Sequence, residues 1–114
     1  MSITKLHGWN YLAMENKQKV LNLLGLARRA RKVTAGSDMV LKQIRARKAA
    51  IVFVAADCAE NTQKKFNDKC RSYNVSLSQA FTELELSQAI GQKRRVVAVT
   101  DMGFGSKMIE LLST

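Results

Sequence analysis

The chain has 114 residues, which is enough for one domain with a modest hydrophobic core. Its 19 Lys and Arg outnumber its 9 Asp and Glu, which gives a formal net charge of +10 and an isoelectric point near 10.1. Because 46% of the residues are hydrophobic and no apolar run reaches about eighteen residues, the composition excludes a disordered chain and a membrane-spanning helix. The charge excess predicts salt-sensitive binding to a polyanion. RNA is favoured over a membrane surface, because no helix pairs a cationic face with a Trp- and Phe-rich face.

The few cysteines and the single histidine argue against a metal centre. Cys58 and Cys70 stand twelve residues apart without a CxxC motif, and only His7 could join them as a soft ligand. We therefore predict no metal, no cofactor and two reduced, buried thiols. The N-terminus has no signal-peptide pattern, so we expect a cytoplasmic protein.

Hydrophobic periodicity predicts helices that alternate with short strands along the whole chain. Residues 1–14 show no clear periodicity, so we predict a loose N-terminal extension, followed by a single domain over 15–114. The predicted elements are a helix over 15–32, a very short strand over 33–35, a helix over 37–48, a strand over 50–56, a helix over 60–73, a strand over 75–78, a helix from Thr82 to Gly91, a strand over 96–100 and a closing helix from Phe104.

This alternation predicts an α/β fold, a three-layer α/β/α sandwich with a small mixed central sheet. The strands over 50–56 and 96–100 are apolar almost throughout, as strands covered on both faces should be. Thr82 and Glu85 have capping-box spacing, and Gly91 is placed to end that helix in a left-handed conformation.

Two patterns raise the question of catalysis. Gly103 and Gly105 are separated by one residue, whereas a P-loop needs four, so we predict a glycine turn with Ser106 as helix N-cap. Asp57 and Asp101 follow the two apolar strands, where α/β enzymes place catalytic groups, but each is also placed to cap the next helix. The cap interpretation is favoured, and a small enzyme that uses one of these carboxylates is the weakest alternative.

The most informative stretch is basic. Between positions 28 and 48 there are eight Lys and Arg and one acid, Asp38. Gly36 and Ser37 open an amphipathic helix there, and an uncapped helix N-terminus offers free backbone N–H groups to phosphate. Asp38 and Lys42 have the spacing of an intrahelical ion pair, but they are also suited to contact bases and phosphates. We expect the loop over 93–95 to lie beside this helix start and to form one cleft with it.

Three segments resemble the kink-turn-binding ribosomal protein family, which includes the large-subunit proteins seven-Ae and thirty-e. They are Leu23–Val33, Gly36–Lys42, and Val97–Asp101 with the following Gly103 and Phe104. The similarity runs from about Met14 to the C-terminus and is greatest to small bacterial members of the YlxQ type. It implies an α/β/α fold and a non-catalytic, ribosomal or ribosome-associated protein whose helix enters the widened major groove of a kink-turn.

The resemblance has two departures in the helix that would enter the groove. Asp38 stands where the family has asparagine, and Met39 stands where it has glutamate. A lost hydrogen bond to a charged partner is worth about 1.5–3 kcal/mol, so affinity for a standard kink-turn should fall about ten- to a hundredfold. The loop over 90–95 is more basic than the apolar loop of the family, and extra phosphate contacts there would offset the loss.

We therefore predict an RNA-binding protein that recognises a kink-turn or similarly bent RNA. The predicted RNA-binding residues are Gly36, Ser37, Asp38, Met39, Lys42, Arg45, Ile90, Gly91, Gln92, Lys93, Arg94 and Arg95. The expected partners are structured RNA, either a kink-turn or ribosomal RNA, and the ribosome, with no membrane and with the protein as a monomer. The alternative is a protein-interaction module on the same fold that has lost kink-turn specificity.

Overall fold

The computed structural model describes the backbone of residues 2–113 and the side chains of residues 13–113. It has five helices and four strands in this range, in the order predicted from the sequence. They are α1 (Ser2–Arg29), β1 (Val33–Ala35), α2 (Ser37–Arg45), β2 (Ile51–Val54), α3 (Glu60–Ser72), β3 (Ser76–Ser78), α4 (Glu83–Ile90), β4 (Val96–Val99) and α5 (Met102–Leu112).

The four strands form one sheet in the order β1-β4-β2-β3. The pairs β1–β4 and β4–β2 are antiparallel and the pair β2–β3 is parallel, so the predicted mixed sheet is confirmed. It follows that β1, β2 and β3 run in one direction and β4 runs against them. We call the end where β1, β2 and β3 finish and β4 begins the C-terminal end of the sheet, and the opposite end the N-terminal end.

Helices cover both faces of the sheet, which confirms the three-layer sandwich. One core joins α1, α4 and α5 to one face and contains Val20, Leu24, Ala27, Ile51, Phe53, Ala55, Phe81, Leu86, Ile90, Val97, Val99 and Met108. The other joins α2 and α3 to the opposite face and contains Val40, Leu41, Ile44, Val52, Val54, Phe66, Cys70, Val96 and Ala98. Successive residues of β2 and β4 enter opposite cores, which explains why these strands are apolar without alternation.

Helix α1 differs from its predicted bounds at both ends. Its backbone is helical from Ser2, and it ends at Arg29 because Arg31 takes a left-handed conformation with φ 62. Met1 and the side chains of residues 2–12 lie outside the described residues, so the predicted loose extension over 1–14 stays a prediction. Helices α2 and α3 also end earlier than predicted, before left-handed residues at Arg47 and Asn74.

Some predicted helix caps are confirmed and others are wrong. Thr82 and Glu85 form the complete capping box of α4, and Gly91 ends that helix with φ 75. Ser106 is not an N-cap. Helix α5 begins at Met102 and is capped by Asp101, whose carboxylate accepts a 2.9 Å hydrogen bond from the Phe104 N–H. Gly103 and Gly105, which were predicted to form a turn, therefore lie within the helix.

Gly105 instead lies inside α5, where that helix packs against the start of β2. A Cβ on this glycine would stand 2.5 Å from the Cβ of Ala50. The glycine thus allows a close helix–sheet approach.

Both cysteines are free, but they differ in burial. Cys70 is buried, as predicted, whereas Cys58 is only partly buried, because it lies in the exposed turn after β2. No cluster of potential metal ligands occurs among the described residues. Within residues 2–113 no helix has the length and apolarity needed to cross a bilayer.

Candidate nucleic-acid interface

A cleft of about 360 Å³ opens at the C-terminal end of the sheet. It is lined by Gly36, Ser37, Thr62, Glu83, Lys93, Arg94, Arg95 and Val96. The start of α2 and the loop before β4 therefore meet, as the sequence predicts. They meet because β4 is antiparallel to β1, so that β4 begins where β1 ends.

The N-terminus of α2 is open. No side chain accepts a hydrogen bond from its first N–H groups, and Ser37, Asp38 and Met39 are exposed. Gly36 donates a 2.9 Å hydrogen bond from its N–H to the Val96 carbonyl, which fixes the helix start to β4. The first-turn N–H groups and the positive end of the helix dipole are thus free to receive an anion.

The backbone conformation of Gly36 requires glycine. Its φ of 96 and ψ of 145 lie near a region that only glycine populates readily. Space is not the reason, because the nearest atom to a Cβ there would be Nε of Arg94, at 3.9 Å. The same distance places the Arg94 guanidinium beside the helix start.

The loop over 91–95 is exposed and held in shape by α4. The Ser87 hydroxyl accepts a 3.0 Å hydrogen bond from the Arg94 N–H and donates one of 3.3 Å to the Arg94 carbonyl. Nη1 of Arg94 donates to the Lys93 carbonyl at 2.8 Å. These contacts, together with the left-handed Gly91, direct the loop toward α2.

Acidic groups moderate the positive charge of the cleft. Nε of Arg95 lies 3.4 Å from a carboxylate oxygen of Glu83. The Glu83 N–H donates a 2.9 Å hydrogen bond to Asp57 Oδ1. Asp57 therefore caps α4 rather than α3, the next helix, because the turn after β2 lies against the start of α4. Lys93 and Arg94 have no acidic partner within ion-pair distance among the described residues.

The predicted site residues do not all lie together. Gly91 and Gln92 line a neighbouring groove of about 520 Å³, and Lys42 is exposed further along α2. Arg45 is the last residue of α2 and lies about 12 Å from the helix start. Ile90 is 1% exposed and packs in the core, so its side chain supports the loop from beneath. Asp38 and Lys42 do not form the ion pair that their spacing allowed.

Besides Val96, the buried first residue of β4, four residues at or beside the cleft were absent from the predicted site. Thr62 and Glu83 line the cleft, Asp57 bonds the start of α4, and Nη1 of Arg28 lies 3.5 Å from the position of a Cβ on Gly91. The capping-box spacing predicted the helix that contains Glu83 but gave no reason to place Glu83 in the site. Arg28 belongs to the basic run noted in the sequence. No local pattern marked Thr62.

The enzyme alternative receives no support from the two strand-end carboxylates. Asp57 follows β2 at the C-terminal end of the sheet, and Asp101 follows β4 at the N-terminal end, so they cannot act as a pair. Each accepts a backbone hydrogen bond at a helix start. Both have the structural role of caps.

Fold and cleft together define a small, basic α/β/α domain with an open cleft at one end of its sheet. Residues 18–109 match the model of the ribosomal protein L7Ae/L30e/S12e/Gadd45 family. The chain belongs to this family, which confirms the resemblance found in the sequence.

Curated relatives and solved structures agree with this assignment. The chain is 46% identical over 97 residues to "RNA-binding protein YlxQ" of Enterococcus faecium, which covers 85% of this chain and 94% of the relative. It is 48% identical over 91 residues to the protein of the same name from Bacillus subtilis (strain 168), which covers 79% and 91%. The relatives therefore place the chain among the bacterial YlxQ-type members.

Two solved structures share the fold. A protein of unknown function from Bacillus halodurans superposes with a TM-score of 0.81 at 36% identity, covering 84% of this chain and 98% of that one. The Giardia lamblia 15.5kD RNA binding protein superposes with a TM-score of 0.74 at 21% identity, covering 87% and 86%. At that identity the second structure supports the fold alone.

Proposed function

We propose that this protein is a non-catalytic RNA-binding protein that recognises a kink-turn or similarly bent RNA at the C-terminal end of its sheet. The observation that carries the proposal is the cleft in which the open α2 N-terminus faces the basic loop over 91–95. The family and the printed names of the two curated relatives support the same class of ligand.

The groups at the cleft suit a folded RNA. Free N–H groups of the first turn of α2 bind a phosphate oxygen, and Lys93 and Arg94 contact the backbone beside it. Lys42 donates to a guanine or a phosphate, and the Asp38 carboxylate accepts from a base amino group. Ile90 stays in the core and contributes only by holding Gly91 in place.

A bent RNA fits better than a regular duplex. The major groove of A-form RNA is deep and narrow, so side chains reach base edges only where the groove is widened. Residues 37–39 project from the protein at the start of α2 and could enter such a groove. Six per cent aromatic residues leave too few rings for a platform that stacks single-stranded bases.

The decisive experiment is a fluorescence polarisation titration at moderate salt. It compares a kink-turn RNA with the same RNA whose G·A pairs are replaced by Watson–Crick pairs, using wild type, Lys42→Ala and Lys19→Ala. We expect preference for the kink-turn in wild type, retained by Lys19→Ala, an exposed charge on α1, and weakened by about 1–3 kcal/mol in Lys42→Ala. Equal binding of both RNAs would contradict kink-turn recognition and leave a general basic surface.

We also propose ribosomal RNA or another ribosome-associated RNA as the natural partner, with the protein acting as a cytoplasmic monomer. Co-sedimentation with ribosomes that persists in Lys19→Ala and is lost in Lys42→Ala would support this partner. Sedimentation equilibrium of the free protein tests the monomer.

A protein-interaction module remains the second candidate, because two large apolar side chains are exposed at the same end of the sheet. Met39 is 49% exposed in the first turn of α2, and Leu84 is 66% exposed in the first turn of α4. Absence of binding to either RNA would favour this candidate, and exposed apolar side chains of this kind would then supply the contact.

A further inference from the structure

Three helices end side by side at the N-terminal end of the sheet. Helices α1, α2 and α3 precede β1, β2 and β3, and these strands all run in one direction. Their C-terminal ends therefore gather at the same end of the molecule, opposite the cleft. This end is not part of the site described above.

All three helices terminate in the same hydrogen-bond pattern. In α1 the N–H of Arg31 bonds the Arg28 carbonyl at 3.0 Å and the N–H of Lys32 bonds the Ala27 carbonyl at 2.8 Å. The same pair of bonds closes α2 at Arg47 and Lys48, and closes α3 at Asn74 and Val75. This is the Schellman motif, and its left-handed position is usually glycine.

Arginine occupies that left-handed position in two of the three helices. Arg31 has φ 62 and Arg47 has φ 59, whereas Asn74, at φ 57, is a residue that tolerates this conformation. Glycine would be more stable at both arginine positions. The helix dipole does not require these two side chains, because other basic residues already stand in the last turn of each helix. In α1 they are Arg28 and Arg29. The arginines thus point to a role outside folding.

These residues belong to a group of cations at the three helix ends, which we call the far-end basic surface. It consists of Arg31, Lys32, Arg45, Arg47, Lys48, Lys69 and Arg71. None of the seven forms an ion pair within the described part of the chain. Two acids stand at this end of the sheet, Asp68, one turn before the end of α3, and Asp101, which caps α5.

One cation of this surface is held in a fixed position. The guanidinium carbon of Arg47 lies 5.3 Å from the centroid of the Tyr73 ring. Such a contact orders the side chain before any ligand arrives, so less entropy is lost on binding.

The dimensions of the surface suit a nucleic-acid backbone. The strands from β1 to β3 span three interstrand spacings, or about 14 Å. A duplex carries one phosphate charge per about 1.7 Å of its axis, so a segment of this length carries about eight charges on its two strands. We propose that the far-end basic surface is a second RNA contact, which binds the phosphate backbone of a stem extending from the RNA held at the cleft. The proposal rests on the proposed function and adds a second, sequence-independent contact to it.

The test uses the full chain and two RNAs, a minimal kink-turn and the same kink-turn with one stem lengthened by about one helical turn. The variant is Arg31→Gly with Arg47→Gly. The matched control is Asn74→Gly, which places glycine at the equivalent left-handed position of α3 without removing a charge. Thermal unfolding is measured alongside RNA binding over a range of salt.

We expect the double variant to bind the lengthened RNA roughly tenfold more weakly, with the salt slope reduced by about 2, as for two lost phosphate contacts. Its affinity for the minimal kink-turn should be unchanged, and its melting temperature should not fall, because the left-handed positions are relieved. Asn74→Gly should bind both RNAs like wild type. Weaker binding by an equally stable or more stable protein cannot be attributed to unfolding.

Other outcomes separate the two proposals. If wild type binds the kink-turn specifically but the double variant binds the lengthened RNA as tightly as wild type does, the second contact is refuted and the proposed function stands. If wild type does not distinguish the kink-turn from the Watson–Crick control RNA of the titration above, yet the double variant loses affinity for the lengthened RNA, kink-turn recognition at the cleft fails and a phosphate contact at the far end is supported.

Discussion

The two ends of the sheet show two ways of presenting positive charge. At the C-terminal end, cations lie among acids and backbone donors: Glu83 pairs with Arg95, and the open start of α2 lies beside Arg94. At the N-terminal end, the cations of the far-end basic surface surround three helix C-termini without an ion-pair partner among the described residues.

The two ends therefore differ in the kind of contact that they can offer to RNA. The cleft offers donors and acceptors at fixed positions, which can discriminate one RNA shape from another. The far-end surface offers charge alone, which increases affinity for any backbone and depends strongly on salt. The two proposals together assign specific contacts to the start of α2 and non-specific charge to its end.

The largest expected effect concerns the cysteine near the far end. Burial raises the pKa of the Cys70 thiol to about 11, from 9.0. The folded protein keeps this proton until about pH 11, while the unfolded chain releases it near pH 9. Its contribution to stability is therefore full below pH 9 and is lost as the pH rises to 11, by about 2–3 kcal/mol. Urea unfolding at pH 8 and pH 10.5 should show about 2 kcal/mol of this loss in wild type, because the thiol of the folded protein is still mostly protonated at pH 10.5.

Cys70→Ala is the control for that measurement. It should be less stable at both pH values but should lose less stability between them, because the other titrating groups are shared. An equal loss in both proteins would rule out the thiol as the source.

The same thiols report on the difference between the ends. Burial also raises the pKa of Cys58, and the neighbouring Arg95 opposes the rise. Cys58 is partly exposed and should be alkylated well before Cys70. Kink-turn RNA should slow alkylation of Cys58, which follows β2 at the cleft end of the sheet, and an unchanged rate would count against RNA in the cleft.

Gly36→Ala should break the geometry of the cleft end. The substitution forces a side chain into a conformation that costs about 1–3 kcal/mol, without any steric clash. Kink-turn affinity should fall because the start of α2 moves. Gly91→Ala is the comparison, since its φ of 75 is a milder left-handed conformation that costs about 1–2 kcal/mol. A Gly36→Ala protein that loses no stability in chemical denaturation would contradict the special conformation of Gly36.

Capped and open helix starts should respond differently to loss of a hydroxyl. Thr82→Ala removes the capping box of α4 and should reduce the free energy of unfolding by about 1 kcal/mol. Ser37→Ala, at a helix start with no side-chain cap, should change it by no more than about 0.5 kcal/mol. Urea unfolding measures both, and similar losses would mean that Ser37 stabilises α2 after all.

The smallest stability effect is expected for Glu83→Gln. Its ion pair with Arg95 is partly exposed, so the free energy of unfolding should change by about 0–1 kcal/mol. RNA affinity should rise about threefold, because the freed arginine supplies one further phosphate contact. Glu110→Gln breaks the ion pair with Lys107 in α5 and changes the net charge equally. If both variants bind RNA equally tightly, net charge alone explains the gain.

Sequence patterns predicted elements well but predicted the site only in part. The helix containing Thr82 and Glu85 was anticipated to the residue, because a capping box depends on neighbours three positions apart. The end of α2 was placed three residues too late, because arginine gives no signal of a left-handed conformation. Ile90 was predicted to contact RNA because the resemblance included it in the 90–95 loop, yet its side chain packs in the core, on the same face of α4 as Leu86 four residues earlier.

The order of helices and strands, the apolar core strands and the excess of positive charge follow from the sequence by itself, since each depends on residue type or on contacts within a few positions. The strand order and the direction of β4 depend on pairing between distant segments, such as Ala35 with Val97. That pairing alone brings the loop over 91–95 to the start of α2, attaches Asp57 to the start of α4, and gathers three helix ends into one basic surface. Tertiary structure therefore decided where the charge lies, because only long-range packing sets which ends of the elements are neighbours.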